Sequence, residues 1–252
     1  MNFQDLLKNL PEVKGPTEKR LGFNIKLKWT LIILVAFFVL ANVSLYGLAE
    51  NALQRFEYLA IILGTDFGSI ISLGIGPIVL ASIILQLLVG SKILDIDMTT
   101  EEGKKYFSGL QKLMVLFFIL FEASIYVLMK GLQAMPGLEW LVILQLIFGG
   151  LLIVFMDEVC QKWGFGSGVS LFIAAGVGWR LFTALFQFLG PERTLQLSGK
   201  IPVLITSVIA ADTTGALKAL AAIIATSIIF LIVVWAQSLK IEVPLSFDRL
   251  RG

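Results

Sequence analysis

The stretch from Gly64 to Gly90 reads GTDFGSIISLGIGPIVLASIILQLLVG. Its composition is that of a membrane span, yet Gly68, Gly74, Gly76 and Pro77 interrupt it. Backbone polar groups that face lipid without a partner are costly, so a span that stops and restarts must be shielded by protein or line a cavity. The broken stretch therefore predicts a membrane protein whose other helices enclose the break.

The composition of the whole chain supports this class. Of its 252 residues, 57% are hydrophobic and 15% are charged, and the mean hydropathy is +0.89. These values predict an all-α, polytopic membrane protein. The single cysteine, Cys160, excludes an internal disulfide, and the absence of histidine removes the common zinc sites. We expect no cofactor, no metal and, since P-loop and serine-elbow motifs are also missing, no enzyme.

Six apolar runs are long enough to cross the hydrocarbon core of a bilayer. They are residues 29–48, 75–91, 113–129, 138–156, 169–189 and 216–238. A seventh apolar piece, residues 56–64, is too short to cross and precedes the broken stretch. It is therefore interpreted as a half-helix that enters the membrane and stops.

Lysine and arginine positions predict the orientation. With residues 1–28 on the cytoplasmic side and the spans alternating, 14 of the 20 basic residues lie on that side. The N-terminal segment is thus expected to be cytoplasmic. Residues 91–111 form a charged cytoplasmic loop in this scheme, and residues 190–215 form the longest external loop.

Both glycine-rich breaks are followed by paired branched aliphatic residues. Ile75 and Val79 follow the first, and Val169 and Ile173 follow the second, GFGSG at residues 164–168. Each pair is spaced i, i+4 and so shares a helix face. Spacing alone favours ordinary packing for all four, because such pairs are common in apolar helices.

Glu122 lies well inside the third span, where a charge is costly and usually faces a bundle interior or an aqueous path. Both a functional role and a structural hydrogen bond between helices remain open for it. The uncharged Asn42, Gln86 and Gln145 are weaker signals. Asp157 and Glu158 fall at a cytoplasmic helix end, where charges are expected.

Several motifs, in order along the whole chain, resemble the SecY family of Sec translocon subunits, and most closely its archaeal branch. They are PEV at 11–13, LGIGPIV at 73–79, QLLVG at 86–90, DE at 157–158, GFGSGV at 164–169, FIAAG at 172–176, IEVPL at 241–245 and RLRG at 249–252. The resemblance implies a helical bundle of ten spans in two pseudo-symmetric halves around a pore. This chain would supply the first half (residues 29–189), the sixth span (216–239) and the start of the next cytoplasmic loop (240–252).

The resemblance assigns roles to particular residues. Residues 56–68 would form a plug that closes the pore, with Phe56, Leu59, Ile62, Gly64, Phe67 and Gly68 as its members. Gly74, Gly76 and Pro77 would be its hinge. Ile75, Val79, Val169 and Ile173 match a constricting aliphatic ring, which can yield around a passing polypeptide and can gate by dewetting.

Further roles implied by the resemblance concern the edge and the partners of the channel. Gln86 and Glu122 would lie on a lateral gate toward lipid, and Lys240, Arg249 and Arg251 on a ribosome-docking loop, where the arginines could approach rRNA phosphates. Expected partners are SecE (gamma) and beta subunits, the ribosome, translocating polypeptides and signal sequences, membrane lipid, and the C-terminal half of the SecY fold. The expected location is the cell membrane.

Two other functions fit parts of the pattern. Broken helices near the membrane centre also build binding sites in secondary transporters, so half of a transporter or small-solute channel is one alternative. The absence of charge near either break, apart from Asp66, argues against ion coupling. A structural membrane scaffold, in which Glu122 and the glycines serve only packing, is the other.

Overall fold

The computed structural model describes residues 11–17, 21–49, 68–187 and 199–237. The described residues form seven helices and no named strand. The helices are α1 (Phe23–Ala41), α2 (Gly76–Gly90), α3 (Glu101–Leu128), α4 (Glu139–Trp163), α5 (Gly168–Phe186), α6 (Lys200–Ile209) and α7 (Thr213–Gln237). Five of them, all except α2 and α6, are long and apolar enough to cross a membrane. The predicted all-α membrane class is confirmed.

Each predicted span corresponds to a helix, but the boundaries differ. The first helix ends at Ala41 and not at residue 48, because the chain beyond Asn42 pairs with other segments. The third begins at Glu101, so the second half of the predicted charged loop 91–111 is helical. Thr100 caps this helix, since its hydroxyl accepts a hydrogen bond from the Gly103 amide at 3.0 Å. Glu101 and Glu102 in the first turn favour the same start.

The second predicted span is a helix of only 15 residues, Gly76–Gly90. Pro77 lies in its first turn, where a missing N–H costs nothing. Residues 68–75 before it form consecutive turns, which we call the re-entrant turn. At about 1.5 Å per residue, the length of α2 is less than the thickness of the hydrocarbon core. The re-entrant turn therefore covers the remaining depth of the membrane.

The described residues up to Val177 form one compact unit. Within it α1 packs on α4, α4 on α3, and α3 on α2. The shared core includes the stacked rings of Phe37 and Phe172, whose centroids lie 4.8 Å apart. Two glycines of α4 allow close approach on either side: a Cβ on Gly149 would lie 1.8 Å from the Ile70 carbonyl oxygen, and one on Gly150 would lie 2.9 Å from Ile119.

The segment that follows α1, residues 44–49, joins two loops into the same unit. Leu45 donates to the Gly68 carbonyl at 2.7 Å, and Ala49 donates to the Gln133 carbonyl at 2.9 Å. Gln145 of α4 then holds both polar groups of Tyr46: its Oε1 accepts from the amide, and its Nε2 donates to the carbonyl, each at 3.0 Å. This intramembrane glutamine therefore satisfies backbone groups that have no helical partner.

Residues 11–17, which we call the N-terminal strap, lie against the C-terminal end of α4 and reach Lys112 of α3. Lys162 donates to both the Glu12 carboxylate and the Val13 carbonyl, and the Trp163 ring nitrogen donates to the Lys14 carbonyl at 2.9 Å. Glu158 accepts from the Val13 amide at 2.9 Å and pairs with Lys112 at 2.7 Å. The strap thus connects two helices through one network of charges.

The described residues from Gly178 onward form a second compact unit, which includes α6 and α7 packed on each other. The helix α6 lies inside the predicted external loop 190–215, so part of that connection is helical. Pro202 falls in the first turn of α6, where proline is well tolerated. Asp212 begins the last helix: hydrogen bonds from the Thr214 hydroxyl and the Gly215 amide lower the pKa of its carboxyl.

The close contact at Gly149 generates a first prediction. Gly149→Ala should destabilise the protein by about 2 kcal/mol, because the added methyl collides with the backbone of Ile70, which cannot rotate away. Gly178→Ala, in an open part of α5, should be neutral or stabilising by up to about 1 kcal/mol. The midpoints of thermal unfolding of the two purified variants in detergent are compared with that of the native protein. Equal midpoints for both variants would contradict the packing described.

The strap generates a second prediction, which concerns proteolysis. Glu12→Gln should speed tryptic cleavage after Lys14 by about fivefold, because a partly exposed charged pair holds the strap down. Glu101→Gln, which removes only an exposed pair with Lys104, should leave the rate unchanged. The hydrogen bond from Lys162 lowers the pKa of Glu12 below its usual 4.5.

The sign of the pH dependence follows from that lowered pKa. A carboxyl with a depressed pKa stabilises the folded strap above the pKa of the unfolded chain, and this stabilisation is lost as pH falls through the folded value. Cleavage of the native protein should therefore approach the Glu12→Gln rate only below about pH 4.5. The cleavage rate is measured with a protease that cleaves at the same site and is active at acid pH, and the products are identified by mass spectrometry. A rate difference that persists unchanged at pH 3 would argue against the ion pair.

Candidate pore and gate site

The re-entrant turn is built so that its buried backbone groups have partners. Ser72, which is fully buried, accepts from the Gly68 amide at 2.8 Å and donates to the Ser69 carbonyl. Ile70 donates to the Val43 carbonyl at 2.9 Å. Gly68 and Gly74 adopt φ values of +94° and +56°, which L side chains rarely adopt. Non-helical backbone is therefore tolerated here because protein surrounds it.

The predicted hinge residues have different physical roles. Gly74 supplies the left-handed turn, and Pro77 supplies a helix start that lacks a free N–H. Gly76 is helical, and its missing side chain makes space for Glu122, whose Oε2 would lie 3.2 Å from an added Cβ. The bend thus depends on Gly74, whereas Gly76 allows a carboxylate of α3 to reach the first turn of α2.

The four aliphatic residues of the predicted ring differ in their surroundings. Ile75 is 8% exposed and belongs to the core of the first unit, and the half-buried Val79 and Val169 pack against that core. Ile173 is 44% exposed. The Val79 amide donates to the Ile75 carbonyl at 3.0 Å, so these two residues do share a helix face. Ile173 is therefore the member of the set that is open to a further neighbour.

Glu122 and Gln86 are not brought together. The Glu122 carboxylate lies against Gly76, and Gln86 lies ten residues farther along α2, about 15 Å away along the helix axis. The side chain of Gln86 is exposed. A polar link that the sequence analysis missed does join α2 to α3: Gln111 donates to the Ser82 hydroxyl at 2.7 Å. Its residues lie in helix positions that carry no motif.

The carboxylate of Glu122 lacks a hydrogen-bond partner for Oε1, although that atom is buried. A buried carboxylate oxygen without a partner is unusual, because desolvation is then uncompensated. Its position near the N-terminus of α2 offers some compensation, since the helix dipole favours negative charge there. Among the described residues, then, no group donates a hydrogen bond to Oε1 of Glu122.

Asp157 and Glu158 are buried, and the expectation of ordinary charges at a helix end was incomplete. Their exposed fractions are 6% and 8%. Asp157 accepts from the Val169 amide at 3.1 Å and from Gln161 at 2.8 Å, whereas Glu158 holds Lys112 and the N-terminal strap. The two adjacent carboxylates therefore have separate partners. No three potential metal ligands cluster in the described part of the chain.

Two predicted groups lie outside the described residues. They are the plug members Phe56, Leu59, Ile62, Gly64 and Phe67, and the docking residues Lys240, Arg249 and Arg251. Of the plug, only Gly68 is described, and it forms the start of the re-entrant turn.

Comparison with known proteins gives one consistent result. The SecY family model matches residues 69–252. The protein translocase subunit SecY of Methanothermobacter thermautotrophicus is 46% identical over 246 residues, covering 97% of this chain and 54% of that protein. The corresponding subunit of Methanocaldococcus jannaschii is 38% identical, covering 98% and 54%. This chain therefore spans about half the length of the curated relatives it matches.

Solved structures agree with the sequence relatives. A protein-conducting channel structure superposes with a TM-score of 0.79 at 36% identity, covering all of this chain and 56% of that one. Sec61 in the canine ribosome-channel complex from the endoplasmic reticulum gives the same TM-score, identity and coverage. The broken stretch, the helix order and these matches together show that the chain belongs to the SecY family.

Proposed function

We propose that this chain forms the first half of a protein-conducting channel, which moves secretory polypeptides across the membrane and releases membrane segments sideways into lipid. The observation that carries the proposal is the re-entrant turn, an enclosed break at membrane depth that leads directly into Ile75 and Val79. Such a break is tolerated only inside protein or beside a cavity. Half a transporter is not favoured, because the named relatives are protein translocase subunits.

The pore constriction in this proposal is an aliphatic ring to which the chain contributes Ile75, Val79, Val169 and Ile173. Branched aliphatic side chains offer no hydrogen bonds to water or ions, yet they can move apart around an extended chain. The exposure of Ile173 supports a neighbour supplied from elsewhere. Residues 56–68 would be the plug on the outer side of the ring, and the chain would bend at Gly68 and Gly74.

The lateral gate in this proposal includes Glu122 and Gln86, which act at separate heights on the seam. Glu122 would favour opening of the gate, because its buried Oε1 has no hydrogen-bond partner among the described residues of the closed seam. The partners would be the second half of the channel, SecE (gamma) and beta subunits, signal sequences and lipid. Ribosome docking through Lys240, Arg249 and Arg251 is supported by the match to Sec61 in a ribosome-channel complex.

The proposed topology places the N-terminus in the cytoplasm and the protein in the cell membrane. The basic-residue count supports this orientation. The domain division would be residues 1–28 as the cytoplasmic segment, 29–189 as the five-span half, 190–215 as the external connection, 216–239 as the sixth span and 240–252 as the docking loop. Transport would be passive, driven by a translating ribosome or another external motor.

A crosslinking experiment tests the channel. The chain is reconstituted with a polypeptide that supplies the rest of a SecY-family channel, and a stalled, ribosome-bound secretory chain carries one cysteine. Ile75→Cys should form a disulfide with it. Ile84→Cys, about half a turn around α2 from Ile75, should not. Silence at Ile75, and also at a second cysteine replacing Gln86 on the gate, would refute the proposal.

Glu122 provides a test of the gate. Glu122→Met should raise the free energy of unfolding by about 1–3 kcal/mol, because an unsatisfied carboxylate is replaced by an apolar side chain. A more stable closed seam should then slow translocation of substrates with weakly hydrophobic signal sequences. Ser124→Ala, on the same helix with its hydroxyl bonded to Leu120, should change neither. Faster translocation by the methionine variant would contradict the proposed gate role.

A further inference from the structure

The carboxylate of Asp157 is a fixed point between α4 and α5. It is almost fully buried, and its two oxygens have different partners: Oδ1 accepts from the Val169 amide at 3.1 Å, and Oδ2 accepts from Gln161 of its own helix at 2.8 Å. The Gly168 amide also interacts with it. The first two residues of α5 are thus tied to α4 through one side chain.

Gly168 approaches Asp157 too closely to carry a side chain. A Cβ on Gly168 would lie 2.7 Å from the Cα of Asp157 and 2.9 Å from its Oδ1. The first residue of α5 therefore rests directly on α4. Gln161 donates to the other carboxylate oxygen, so the side chain of Asp157 cannot rotate away without losing a charge-assisted hydrogen bond.

The residue tied down in this way is Val169, a member of the proposed ring. Ile173 follows one helical turn later, where its amide is in register with the Val169 carbonyl. Fixing the Val169 amide sets both the rotation of α5 about its axis and its height at this end. Both quantities decide where the two aliphatic side chains point.

We propose that Asp157 is a positioning residue for the pore ring: it holds the first turn of α5 so that Val169 and Ile173 face the constriction. This inference rests on the proposed channel function. Asp157 touches no substrate in this scheme and acts through the α5 backbone. Its neighbour Glu158 has a different task, since it holds Lys112 and the N-terminal strap.

That division supplies a matched control one residue away. Asp157→Ala and Glu158→Ala remove the same charge from the same turn of α4, but only the first releases α5. Hydrogen exchange of the amides at 168–172 should be about tenfold faster in Asp157→Ala, because a bond to a charged acceptor is lost. Glu158→Ala should leave those amides at the native rate and should instead release residues 11–17.

Two further variants keep the test informative if Asp157→Ala does not assemble. Asp157→Asn retains an oxygen for the Val169 amide, and Gln161 can turn its own oxygen toward the new amide group, so exchange should return toward the native rate. Gly168→Ala pushes α5 away from α4 while the carboxylate is intact, and it should reproduce the fast exchange. Native exchange in Gly168→Ala and Asp157→Ala would overturn the inference.

The second readout is the resting ion leak of the reconstituted channel in lipid vesicles. Asp157→Ala and Gly168→Ala should leak several-fold more than the native channel, because a displaced Val169 leaves a gap in the ring, whereas Glu158→Ala should not. Fast exchange without added leak would overturn the link to the ring. Failure of the channel function itself is recognised separately, by the loss of the Ile75 crosslink in the otherwise native protein.

Discussion

The structure depends on one constraint: peptide groups at membrane depth must have hydrogen-bond partners, and a chain that leaves the helix there must find them elsewhere. Residues 68–75 meet this constraint with the Ser72 hydroxyl and the backbone of the segment after α1. The backbone of Tyr46 in that segment is in turn hydrogen-bonded by the side chain of Gln145. The enclosed turn then places Ile75 and Val79 at the start of α2.

Much of this architecture could be predicted from the sequence. The all-α membrane class, the interruption around Gly74 and the helix start at Pro77 follow from hydropathy and from the backbone preferences of glycine and proline. Helix ends were less predictable. The start of α3 is set by a Thr100 cap that lies among charges, and α6 is a short helix that begins near a proline. Polar residues and proline therefore predict loops at two places where the chain is helical.

The site could be predicted only in part, because its contacts join residues far apart in the chain. The i, i+4 pairs gave the faces of α2 and α5 but not the difference in burial between Ile75 and Ile173. The composition around Asp157 and Glu158 suggested a solvated helix end, and only three-dimensional packing separates their partners. A charge run does not indicate which neighbour each carboxylate holds.

The hydrogen bonds between Gln145 and the backbone of Tyr46 also constrain the order in which the bundle can assemble during synthesis. These residues are separated by 99 positions. At a synthesis rate of roughly 5–20 residues per second, the peptide groups of Tyr46 wait about 5–20 s before their partner is made. Throughout that interval the chain after α1 has no completed site at membrane depth. The bundle therefore cannot close in the order in which its helices appear, and α4 must arrive before the break between α1 and α2 is sealed.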